Sequence, residues 1–109
     1  MIDITDEQMT RVRALCDEYG VLKLELFGSA ATDAFDPARS DLDVIALFAE
    51  PNELDYVDRF FGFVEALEKL FGRPVDLLTG QKFRNIIFQK SVDATRRTIY
   101  ERPNVEAAA

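Results

Sequence analysis

Apolar and polar positions along the chain fall into blocks of helical and of strand period. Met9, Val12, Leu15, Cys16 and Tyr19 recur near the helical spacing, behind a capping-box pair, Thr5 and Gln8, and ahead of Gly20 at the expected C-cap. A first helix is predicted there, with Cys16 as a small core residue on its apolar stripe. Over 21–27 the period changes to two, with Leu22, Leu24 and Leu26 alternating against Lys23 and Glu25, which predicts a strand. Residues 28–40 are mostly small or polar and read as a loop with a helical turn. The run 42–48 is mostly apolar, the pattern of a strand covered on both faces.

Pro51 and Asn52 open a long helix, with Asn52 at the N-cap and Asp55 three positions on. Leu54, Val57, Phe61, Val64 and Phe71 form its apolar stripe, which Phe60, Phe63, Leu67 and Leu70 widen, and Gly72 ends it. A short third strand is predicted over 74–78 and a short helix over 82–90, carrying Phe83, Ile86 and Ile87. Residues 96–101 fit an edge strand and a helical extension equally well. The order predicts one α/β (α+β) domain over 1–102, a small mixed β-sheet flanked by helices, followed by a flexible C-terminal tail over 103–109.

Composition narrows the chemistry. The 109 residues suit a single domain, and 48% hydrophobic with 30% charged content is that of a soluble globular protein. Thirteen basic against twenty acidic residues give a net charge of −7, which argues against a nucleic-acid partner. One cysteine and no histidine exclude an internal disulfide framework, Cys/His zinc sites and Ser-His-Asp catalysis. Catalysis must then rest on carboxylates, basic groups, hydroxyls or a hard metal. No apolar run approaches the roughly 20 residues of a membrane span, so a cytoplasmic protein with no membrane partner is expected.

The carboxylates supply a candidate. Asp41 and Asp43 stand two apart at the start of a strand, so both point to one face. Asp76 interrupts the apolar run 74–78, where its charge needs compensation. Three carboxylates on one patch repel and raise one another's pKa, and a divalent cation relieves this; oxygen-only ligands select a hard ion such as magnesium. Gly28-Ser29, directly after a strand, offers close backbone approach, N–H groups and a hydroxyl for phosphate oxygens. Phosphate donors beside metal ligands suit in-line phosphoryl or nucleotidyl transfer.

With these residues in view, the chain resembles the minimal nucleotidyltransferase family of the DNA polymerase beta superfamily. The matching segments are Leu26-Phe27-Gly28-Ser29, Ser40-Asp41-Leu42-Asp43-Val44 and Val75-Asp76-Leu77. The resemblance implies the nucleotidyltransferase fold, with Gly28, Ser29 and Ser40 binding the nucleotide and Asp41 and Asp43 binding two Mg2+ ions. Asp76 is implied as the third carboxylate, helping to bind the catalytic metal and to activate the acceptor hydroxyl. ATP would be the substrate, attacked at its α-phosphate with release of pyrophosphate. Family members often carry arginines and a glycine after the Gly-Ser pair, where this chain has Ala30-Ala31-Thr32-Asp33. Arg39, Lys82 and Arg84 are the candidates to replace that charge.

Larger members of the superfamily carry a second domain for the acceptor, and this chain has no room for one. Either a homo-oligomer interface holds a small acceptor or another protein brings one. The resemblance implies a HEPN-type toxin as partner, adenylylated on a tyrosine by this chain acting as its antitoxin, or neutralised by binding alone. A small-molecule acceptor of aminoglycoside type is the remaining alternative. Nine Phe and three Tyr leave Phe35, Phe83 and Phe88 as candidates for an apolar interface.

Overall fold

The computed structural model describes residues 2–32, 35–36, 38, 41–49, 53–79 and 86–102. Helix α1 (Asp6–Tyr19) starts at Thr5, whose hydroxyl accepts from the Gln8 N–H while the Gln8 side chain accepts from the Thr5 N–H. The reciprocal pair satisfies two amides that the first helical turn cannot bond internally. Gly20 closes α1 in the left-handed region (φ 71°), its N–H donating to the Cys16 carbonyl. Strand β1 (Val21–Leu26) leaves this cap immediately and is followed by one 3-10 turn, Gly28–Ala31.

Strand β2 (Leu42–Phe48) pairs antiparallel with β1. Helix α2 (Glu53–Phe71) crosses over to β3 (Val75–Thr79), which lies parallel to β2, the arrangement such a crossover permits. Helix α3 (Ile86–Thr95) then leads into β4 (Arg97–Glu101), antiparallel to β1. The sheet order is β3-β2-β1-β4, so the mixed α/β fold expected from the sequence is the one observed.

The main core lies on one face of this sheet, beneath α1 and α2. Val12 and Cys16 of α1 and Phe63 and Leu67 of α2 meet Leu24 and Leu26 of β1 and Leu42, Val44 and Ala46 of β2, all at most 1% exposed. Phe63 stands edge-on to Phe48 at 6.0 Å. The opposite face holds a smaller cluster, Phe27, Ile45 and Val92, with Leu78 packed against it.

Four expectations change. The buried face of α2 is centred on Phe63 and Leu67, whereas Val57 and Phe61 are 57% and 59% exposed. So many α2 positions are apolar that the spacing alone did not fix which stripe faces the sheet. Helix α3 runs on to Thr95, beyond the predicted end at 90, and the following segment is a strand because β1 offers it an antiparallel edge. A register shift between Val21 and Lys23 puts Val21 rather than Leu22 into the core. Phe35 packs on the main core with the Arg73 guanidinium 4.7 Å above its ring; Phe83 and the side chain of Phe88 lie outside the described residues.

Candidate active site

The antiparallel and parallel pairings together bring the carboxyl end of β1 to the amino ends of β2 and β3. Leu26 lies opposite Val44, Leu42 opposite Val75, and Asp43 directly opposite Asp76. Asp43 and Asp76 are thus neighbours on adjacent strands and share the face opposite the main core, because Leu42, Val44, Val75 and Leu77 take the other. Asp41, just ahead of β2, is exposed, Asp43 is half-buried and Asp76 is exposed.

Asp43 is where these charges meet. Its pKa is raised above the usual carboxylate value, first by burial and then by the negative charges of Asp76 and Asp41. The Phe27 N–H donates to the Asp43 carbonyl at 3.1 Å, tying the end of β1 to the same residue through its backbone. Gly28 follows with φ 64°, and a Cβ there would fall 2.8 Å from Asp43 Oδ2. Both the conformation and the space at this position therefore demand glycine.

The 3-10 turn after Gly28 is held from several sides. The Gly28 N–H donates to Thr95 Oγ1 at 2.9 Å, and the Ser29 carbonyl accepts from the Thr32 N–H and hydroxyl at 3.1 and 3.3 Å. Ala30 and Ala31 are 0% and 7% exposed, and the Ala30 carbonyl accepts from the Ile2 N–H at 2.9 Å. The two alanines after Ser29 thus belong to the main core. Ser29 itself is half-buried in this turn. Ser40, and with it Asp33, Arg39, Lys82 and Arg84, lies outside the described residues.

Among the described residues no three carboxylate, thiol or imidazole side chains are gathered closely enough to hold one ion as they stand. The chemistry of the donor set nonetheless fits a hard divalent cation: oxygen ligands only, with Asp43 under like-charge repulsion that such an ion relieves.

One charged pair on this face escaped the sequence reading. Glu25 of β1, taken there as an outward polar position, is 6% exposed and bound at both oxygens by Arg96, at 2.9 and 2.7 Å. Arg96 also reaches Asp93 at 2.9 Å. The Arg96 hydrogen bonds hold the Glu25 carboxyl below its ordinary value despite burial, which acts the other way. No local signal announces the pair, since its partners stand 71 positions apart.

These features match known proteins along most of the chain. The family model of the nucleotidyltransferase domain matches residues 10–102. The "Putative protein adenylyltransferase MJ1379" of Methanocaldococcus jannaschii is 33% identical over 81 residues, covering 74% of this chain and 79% of that protein. The chain belongs to the nucleotidyltransferase domain family and is a nucleotidyltransferase. Its fold is that of a solved structure described as a "putative minimal nucleotidyltransferase", with a TM-score of 0.64 and 25% identity over 84% of this chain and 88% of the other. A toxin–antitoxin structure solved with AMP-PNP shares the fold at a TM-score of 0.62 and 16% identity, over 92% of this chain and 78% of that one. Among the described residues no helix is long and apolar enough to cross a membrane.

Proposed function

We propose that this chain transfers AMP from Mg-ATP to a hydroxyl, a tyrosine of a HEPN-type toxin, and so acts as its antitoxin in the cytoplasm. The observation that carries the reading is the pairing of Asp43 with Asp76 on adjacent parallel strands, with Gly28 packed against Asp43. The AMP-PNP held by the toxin–antitoxin structure of the same fold supports ATP as the nucleotide. Gly28, Ser29 and Ser40 form the nucleotide-binding set, and Asp41, Asp43 and Asp76 would hold Mg2+. When bound, the metal neutralises triphosphate charge and acidifies the acceptor hydroxyl.

In the transfer, the acceptor oxygen bonds to the α-phosphorus as the bond to the bridging β-phosphate oxygen breaks. Pyrophosphate leaves with that electron pair. Asp76, exposed at the amino end of β3, accepts the hydroxyl proton. Most of the catalysis is positioning, and the close approach of Gly28 to Asp43, which leaves no room for a Cβ, suits that task.

Incubation of the chain with Mg-ATP and its cognate toxin, followed by intact-mass spectrometry, tests the reading. Wild type should add one AMP per toxin, and Asp41→Ala and Asp43→Ala should lower the rate at least about a hundredfold. Equal labelling by those variants would sink it. A binding-only antitoxin is the second reading, favoured by the burial of Ala30 and Ala31, which leaves no cation on that turn. Full protection of cells by an Asp41→Asn/Asp43→Asn double variant, with the toxin unmodified, would select it.

A further inference from the structure

Thr95, the last residue of α3, and Arg96, which follows it, are consecutive polar residues whose side chains reach the end of β1. Thr95 Oγ1 accepts from the Gly28 N–H at 2.9 Å, and its own hydroxyl donates to the Val92 carbonyl at 3.4 Å. Donating back into the helix leaves the oxygen's lone pairs turned toward the Gly28 amide. Val92, which anchors this relay, is 1% exposed and packs with Phe27 and Ile45. Arg96 clasps Glu25 of β1 two residues before Phe27. The helix end is therefore fastened to the chain on both sides of Phe27.

Gly28 lies so near Asp43 that a side chain there would be crowded. The position of a Cβ at Gly28 lies 2.8 Å from Asp43 Oδ2, and the Phe27 amide is bonded to the Asp43 carbonyl. The backbone leading into the turn is thus tied to Asp43. Among the bonds that hold the turn, the Thr95 hydroxyl is the acceptor for the Gly28 amide itself.

We infer that Thr95 is a positioning residue for nucleotide binding: its hydroxyl fixes the Gly28 turn against Asp43 without itself touching the nucleotide. The inference rests on the nucleotide-binding reading given above. It makes the hydroxyl, not the bulk, of residue 95 the feature that matters. Thr95→Val keeps the shape and loses the acceptor, while Thr95→Ser keeps the acceptor and loses a methyl.

Two measurements on the full chain test it. Without nucleotide, amide exchange followed by NMR should show the Gly28 N–H at least about tenfold less protected in Thr95→Val than in wild type, with Thr95→Ser close to wild type. With Mg-ATP, calorimetry should give about tenfold weaker binding for Thr95→Val, again restored by Thr95→Ser; in transfer assays KM should rise more than kcat falls. A Thr95→Val variant that melts earlier but binds Mg-ATP as wild type does overturns the inference. Unchanged Gly28 exchange overturns it as well, whether or not wild type binds nucleotide. Failure of wild type to bind Mg-ATP, with Gly28 deprotected in Thr95→Val, would instead count against the nucleotide-binding reading. Should Thr95→Val not fold, Thr95→Ala, which adds no apolar bulk, is read the same way.

Discussion

The two faces of the sheet are built from the same strands and do different work. In β2, Leu42, Val44, Ala46 and Phe48 point to α1 and α2, and all belong to one buried cluster. Between them Asp43 and Ile45 point the other way, where, among the described residues, Val92 of α3 joins the small second cluster. Strand β3 repeats the division, with Val75 and Leu77 inward and Asp76 and Leu78 outward. A two-residue period thus lets each strand contribute stability through one face and charge through the other. The face under α1 and α2 buries a cluster of apolar side chains, whereas the opposite one holds repelling carboxylates near water. Changes on the two faces should then be separable, and the following experiments test that.

The largest effect is expected on the covered face. Phe63, 0% exposed and in ring contact with Phe48 and Tyr19, should cost about 3–5 kcal/mol when replaced by alanine. Phe61, two positions earlier and 59% exposed, should change stability by no more than about 0.5 kcal/mol. Urea denaturation of Phe63→Ala and Phe61→Ala measures both. Comparable losses would mean that α2 presents a different stripe to the sheet.

A smaller loss is expected from the Glu25–Arg96 ion pair on the opposite face. Glu25→Gln leaves Arg96 its exposed partner Asp93 but not the buried one, and because the Arg96 side chain is 27% exposed the cost should be about 2–3 kcal/mol, below that of a fully buried pair. The pH dependence has a definite sign. Arg96 lowers the Glu25 pKa from 4.5, so the pair's stabilisation is full above that value and is lost as pH falls through the lower folded one. Wild type should therefore lose its advantage over Glu25→Gln between about pH 4.5 and more acid conditions, read by thermal melts across that range. A constant difference would assign the loss to packing instead.

How much of this was legible in the sequence follows from the range of each interaction. The Thr5–Gln8 capping box and the Gly20 cap act within one turn, and both appear where the spacing placed them. Strand β2 was readable as a strand with cover on both faces, and Ile45, on the face away from the main core, is buried as well. Helix α2 was readable as a helix but not in rotation, since Val57, Phe60, Phe61, Phe63 and Val64 offer apolar surface nearly all round. The state of 97–101 could not be read locally, because its residues are polar and exposed at three of five positions and only pairing with β1 makes them a strand. Of the candidate site, the carboxylates and Gly28 were visible as a spaced motif. Thr95, Arg96 and the buried state of Glu25 were not, for they meet across 67 to 71 residues of chain.

The smallest effect is the most diagnostic, because it should run opposite to the others. Asp43 is the carboxylate that the fold makes costly: burial, then Asp76, then Asp41 raise its pKa from 3.8. A folded state that binds the proton more tightly than the unfolded one is penalised by ionisation, fully above the raised value and progressively less as pH falls toward 3.8. Asp43→Asn removes that charge with little change of shape. It should therefore raise the melting temperature at neutral pH, by no more than about 4 °C, with the gain fading in acid. The same variant should lose nucleotidyl transfer, so stability and activity move in opposite directions at one atom pair. Added Mg2+ should stabilise wild type more than Asp43→Asn, since the ion relieves a repulsion that the variant has already lost. A fall in melting temperature for Asp43→Asn would show that the carboxylate is stabilised where it stands, and would place Asp43 with the structural residues of the face under α1 and α2 rather than with the chemistry of the opposite one.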